Sequence, residues 1–107
     1  MNTKRDIVMW KDAIKNHQGD KGTLEKKLLE FRDQLDCHKN EMDNFIKCGD
    51  LTRLKNECMS IHKKSIFLGC YDLGYTSLEL NRVMRMDEYE YLLKSMEVFK
   101  KFVKINL

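Results

Sequence analysis

The 107-residue chain contains no proline, where average usage would place about five over this length. A backbone that keeps every amide donor and has no fixed φ can run in long uninterrupted helices, so glycine has to supply the breaks. The glycines stand at 19, 22, 49, 69 and 74. The first three fall between stretches whose apolar residues recur at steps of three and four, and they read as turns. Strand signals are missing: there is no Asn-Gly pair and no sustained period-two run.

Five helical segments follow from this punctuation. Ile7, Trp10 and Ile14 share one face of a short first helix ending near Gln18-Gly19. Thr23 is placed to cap a long second helix, in which Leu24, Leu28, Phe31, Leu35, His38, Met42 and Phe45 keep a helical rhythm until Cys48-Gly49. Asp50 caps a third, with Leu51, Leu54, Cys58, Ile61, Ser65 and Leu68 inward. A turn is expected over Tyr71 to Gly74, then a fourth helix with Leu73, Ser77, Leu80 and Met84, ending near Met86. Asp87 and Glu90 resemble a capping box for a last helix carrying Tyr89, Leu92, Met96, Phe99 and Val103. Short connections between long amphipathic helices predict antiparallel neighbours. The expected fold is therefore all-α: an antiparallel up-down four-helix bundle with a short extra N-terminal helix, forming one domain over residues 1–107.

Composition narrows the function classes. At 12.8 kDa a folded chain buries about two-thirds of its extended surface, enough for an unaided core. Twenty basic and 17 acidic residues give a formal charge of +3, too small and too interspersed for a nucleic-acid footprint. The longest uncharged stretch, Ser65 to Tyr71, is far short of a membrane span, and the N-terminus opens on mixed charge rather than a signal sequence. A cytoplasmic protein is expected, with no nucleic-acid or membrane partner. Cys37, Cys48, Cys58 and Cys70 form no CxxC motif and read as small buried hydrophobes in a reducing compartment.

The third segment departs from a generic bundle helix. Positions off its core stripe include Met59, Ile66 and Phe67, with His62, Lys63 and Lys64 between them. Met59, His62, Ile66 and Gly69 recur about one turn apart and form one ridge. Scattered surface apolar residues explain such a ridge without function; a docking site explains it with one.

The stretch from Gly49 to Cys70, GDLTRLKNECMSIHKKSIFLGC, resembles the histidine phosphotransfer (HPt) domain family. That family's pattern runs Gly-Asp, a leucine-bearing helix, then small residue, His, x, Leu, Lys, Gly, two small residues, two variable ones, Leu, Gly, Ala. Anchored on Leu68-Gly69-Cys70, it sets Cys58 on the small residue before the histidine, Ile61 on the leucine, Ser65 on the second small residue and Leu73 on a later core leucine. The resemblance extends loosely from Trp10 to the C-terminus. It implies a bundle that docks the receiver domain of a response regulator, or a hybrid histidine kinase, by its second long helix. In this frame Met59 stands at the phosphoryl-acceptor position, His62 replaces the lysine one turn on, and Lys63 replaces the glycine that gives the partner clearance. A thioether cannot take a phosphoryl group, so the resemblance implies docking without phosphate carriage, through Met59, His62, Lys63, Ile66 and Gly69. The alternatives are active transfer through His62, with Lys63 and Lys64 beside the phosphate, and a helical adaptor unrelated to phosphorelay.

Other groupings carry less. Cys58 with His62 and Cys37 with His38 make a formal Cys2His2 set of unsuitable spacing, and neither metal nor cofactor is expected. His17 lies at a helix end, where the helix dipole favours it. Asp33, Asp36, Glu41 and Asp43 belong to the solvated side of the second segment, and Lys100, Lys101 and Lys104 alternate with Phe99, Phe102 and Val103 along a packed C-terminal helix.

Overall fold

The structure is a computed structural model that describes residues 7–107. It contains five helices: α1 (Trp10–Asn16), α2 (Lys21–Cys48), α3 (Leu51–Phe67), α4 (Tyr71–Val83) and α5 (Met86–Asn106), with no strand among the described residues. The long helices follow one another around a ring: α2 packs on α3, α3 on α4, α4 on α5, and α5 closes back on α2, with α1 against α2.

The helical rhythm read from the sequence is the buried stripe. Leu24, Leu28, Phe31, Leu35 and Met42 of α2 meet Leu54, Cys58 and Ile61 of α3, Leu73 and Leu80 of α4, and Tyr89, Leu92, Met96, Phe99 and Val103 of α5 in one core. Phe31 and Phe99 lie edge to face with centroids 5.5 Å apart, tying α2 to α5. Burying each such side chain contributes about 1.5–3 kcal/mol relative to leaving it in water. Leu51, assigned to the inner stripe, is exposed instead; it is the first residue of α3, and burial begins one turn later at Leu54.

Several boundaries differ from the sequence reading. Asp20, rather than Thr23, caps α2: its carboxylate accepts the Thr23 amide at 3.1 Å and the Thr23 hydroxyl at 2.7 Å. Gly22 therefore lies inside the first turn of α2 and breaks nothing. Asp50 caps α3 as expected, accepting from the Arg53 amide at 3.1 Å. No turn occupies Tyr71 to Gly74; the chain reverses at Gly69, φ 74°, and α4 begins directly at Tyr71 with Gly74 buried within it. α4 ends at Val83 because Met84 takes a left-handed conformation, φ 52°. Asp87 forms no capping box; its carboxylate accepts the adjacent Glu88 amide at 3.0 Å, and α5 already starts at Met86.

The cysteines split. Cys58 and Cys70 are buried, and desolvation pushes both thiols up to about 12, whereas Cys37 and Cys48 are exposed, contrary to the expectation of four core residues. Cys37 follows Asp36 on the outward side of α2, and Cys48 is the last residue of that helix.

Candidate functional site

With Cys58, Ile61 and Ser65 turned inward, the 100° step between successive helical residues puts Met59, His62 and Ile66 on the flank of α3. All three are half-buried, and Lys63 beyond them is exposed. That flank faces α4. Asn81 of α4 donates its side-chain amide to the Lys55 carbonyl at 3.0 Å, and His62 reaches the Gly74 carbonyl at 2.8 Å through Nδ1. Gly74 is what admits this approach. A Cβ there would lie 2.7 Å from Cδ1 of Ile66 and 3.3 Å from Cβ of Ser65, so the glycine read as a turn signal is a helix-contact residue.

The bond to Gly74 fixes the state of the neutral His62 ring. A carbonyl oxygen only accepts, so Nδ1 carries the hydrogen and Nε2 keeps its lone pair. The buried, unpartnered side-chain polar atoms among the described residues are His17 Nε2 and Ser65 Oγ. Tyr75 flanks the His62 ring, with centroids 6.3 Å apart.

Two expected members of the site lie elsewhere. Gly69 is buried beneath α1: its carbonyl accepts the Met9 amide at 2.8 Å, and an added Cβ would meet the Met9 carbonyl oxygen at 2.8 Å and the Ala13 Cβ at 3.0 Å. It is the contact point of the N-terminal helix, not the open end of a ridge. Lys64 turns to the opposite flank of α3, where its ammonium reaches Gln34 Oε1 and His38 Nε2, each at 3.2 Å. Lys63 alone of the two lysines shares the outer face with His62.

The α2–α3 seam holds a polar cluster absent from the sequence reading. His38, buried in the rhythm of α2, gives Nδ1 to the Glu57 carboxylate and takes Lys64 on Nε2. Glu57 and Lys64 are seven residues apart, two turns on one face of α3, and that spacing opposite a core-rhythm histidine was the available signal. Of the acidic residues of α2, Asp33 pairs with Arg32 and Asp36 with Lys100. Asp43 accepts the Tyr89 hydroxyl, a bond that holds its carboxyl below the usual range. His17, the C-cap of α1, gives Nδ1 to the Ala13 carbonyl at 2.7 Å and packs at a tilt against Phe67, centroids 4.6 Å apart.

Among the described residues no three His, Cys, Asp or Glu side chains are grouped to hold a metal ion, and no helix is long and apolar enough to cross a membrane. The α3–α4 flank offers an apolar strip, an exposed lysine and an imidazole oriented through Nδ1. Comparison with protein-family models, curated proteins and solved structures finds no match.

Proposed function

We propose that the chain is an HPt-like docking protein: an antiparallel four-helix bundle, with α1 as an added helix, that binds a response-regulator receiver domain or a hybrid histidine kinase in the cytoplasm and modulates a phosphorelay without carrying phosphate. The observation that supports this reading is the α3 flank, where Met59, which the resemblance sets at the acceptor position, is half-buried in line with His62 and Ile66, with Lys63 exposed beside them. Helix order supports it too, with residues 68–70 joining α3 to α4 and residues 84–85 joining α4 to α5. Met59, His62, Lys63 and Ile66 make the contact; Gly69 contributes by seating α1. Such signalling encounters bury little area, so binding is transient.

One observation favours a second reading, phosphotransfer through His62. Its Nδ1 is committed to the Gly74 carbonyl, so in the neutral ring the lone pair lies on Nε2, the arrangement a nitrogen nucleophile requires. Nε2 would attack the phosphorus of an aspartyl phosphate, forming the N–P bond as the acyl O–P bond breaks and the aspartate carboxylate departs, while the ring proton stays on Nδ1, hydrogen-bonded to the Gly74 carbonyl. Against it, the receiver would have to shift about 4.5 Å along α3, three residues at 1.5 Å each, towards the bulk of Lys63 and Ile66.

Incubation with a phosphorylated receiver separates the readings. Saturable binding with no label on this chain supports docking alone. Acid-labile label that disappears in His62→Ala establishes the second reading. No binding to any receiver or kinase, with a self-association that Met59→Asp abolishes, identifies an adaptor instead.

A further inference from the structure

A cleft of about 600 Å³ opens beside α4 and α5, lined by Tyr71, Tyr75 and Tyr91 together with Asp72, Glu79 and Glu88. Among the described residues no lysine, arginine or histidine lines it, in a chain whose basic residues outnumber its acidic ones. Tyr75 and Tyr91 are 60% and 50% exposed, large rings left in water at the rim of a concave site. Tyr71 is held beside Tyr75, centroids 6.2 Å apart, with its hydroxyl donating to Asp12 at 2.8 Å.

Aromatic rings interleaved with carboxylates select a cation. The kind of cation follows from the carboxylates. Glu79 is engaged by Arg82 at 3.0 Å and Glu88 by Arg85 at 3.5 Å, and no three acidic groups among the described residues converge on a point. A compact metal ion would lack a coordination shell there. A charge spread over methyl groups needs none: it gains from ring faces and from carboxylates at longer range, and it has no N–H to leave unsatisfied.

We propose that this cleft binds a small free methylated-ammonium ion of the choline class. The site lies apart from the Met59 flank except at Tyr75, which also borders His62, and its test is independent of any receiver. Choline and its uncharged isostere 3,3-dimethylbutan-1-ol are titrated separately into the intact protein while tyrosine ring signals are followed by NMR. Choline is expected to shift the Tyr71, Tyr75 and Tyr91 rings saturably, and the isostere to bind at least about tenfold more weakly, since the two differ only in the cation–π and Coulomb contribution. Tyr75→Leu and Tyr91→Leu, both at exposed positions and checked for helix content, are each expected to weaken choline binding about fivefold. Absence of a saturable choline response, or equal binding by the isostere, overturns the proposal. A trimethyllysine peptide that binds more tightly than choline places the cation on a protein partner and overturns the assignment to a free small molecule.

Discussion

Replacing Gly69 with alanine tests the placement of α1, and with it the extent of the α3 docking surface. Two costs add. At φ 74° a Cβ is strained by about 1–2 kcal/mol. The new methyl also stands 2.8 Å from the Met9 carbonyl oxygen and 3.0 Å from the Ala13 Cβ; a backbone atom cannot swing aside as a side-chain end would. α1 must lift, weakening the 2.8 Å bond from the Met9 amide to the Gly69 carbonyl, about 1 kcal/mol, and loosening Ala13 from the core. The sum is about 2–3 kcal/mol. Gly19 and Gly49 provide the control: their φ values are 82° and 70°, yet nothing lies within 4 Å of an added Cβ, so alanine there carries the strain alone, about 1–2 kcal/mol. Urea denaturation of the three variants, with hydrogen exchange at the Met9 amide, reads the difference. Gly69→Ala is expected to lose at least about 1 kcal/mol more than either control and to deprotect Met9. Equal losses at all three positions would show that α1 does not press on Gly69 and refute the account of that helix.

Other outcomes follow from the same geometry. A thiol reagent at neutral pH should modify Cys37 and Cys48 rapidly, while Cys58 and Cys70, buried and pushed up to about 12, react only as the chain unfolds; four fast thiols would contradict the packing of α3. Tyr89→Phe should destabilise the fold by about 1 kcal/mol at neutral pH through loss of the bond to the partly exposed Asp43. Because that carboxyl is held below its usual value, its contribution is present above the unfolded carboxylate pKa and is lost as pH falls through the folded one, so the variant and the parent should converge in acid. Leu28→Ala should cost about 2–5 kcal/mol in chemical denaturation, Leu28 being fully buried among the helices.

The core was legible because its code is local. A step of three and four along α2, from Leu24 to Met42, names the buried face without knowledge of what covers it, and the Gly49-Asp50 pair ends one helix and caps the next. What the sequence hid were roles set by a partner segment. Gly74 and Gly69 look alike in one dimension, yet one admits Ile66 and His62 to a helix face and the other receives the backbone of α1. The pairing of Glu57 and Lys64 with His38 likewise depends on how α2 and α3 are rotated against each other. Of the residues read as a candidate surface, Met59, His62, Lys63 and Ile66 share one flank, while Lys64 and Gly69 are drawn away by contacts to α2 and α1.

The most direct test of docking on α3 is an NMR titration of the labelled protein with the receiver domains of its own organism. Saturable shifts centred on Met59, His62, Lys63 and Ile66, lost in an Ile66→Glu variant that still folds, are the predicted result. Shifts confined to other helices, or none with any receiver, would contradict it.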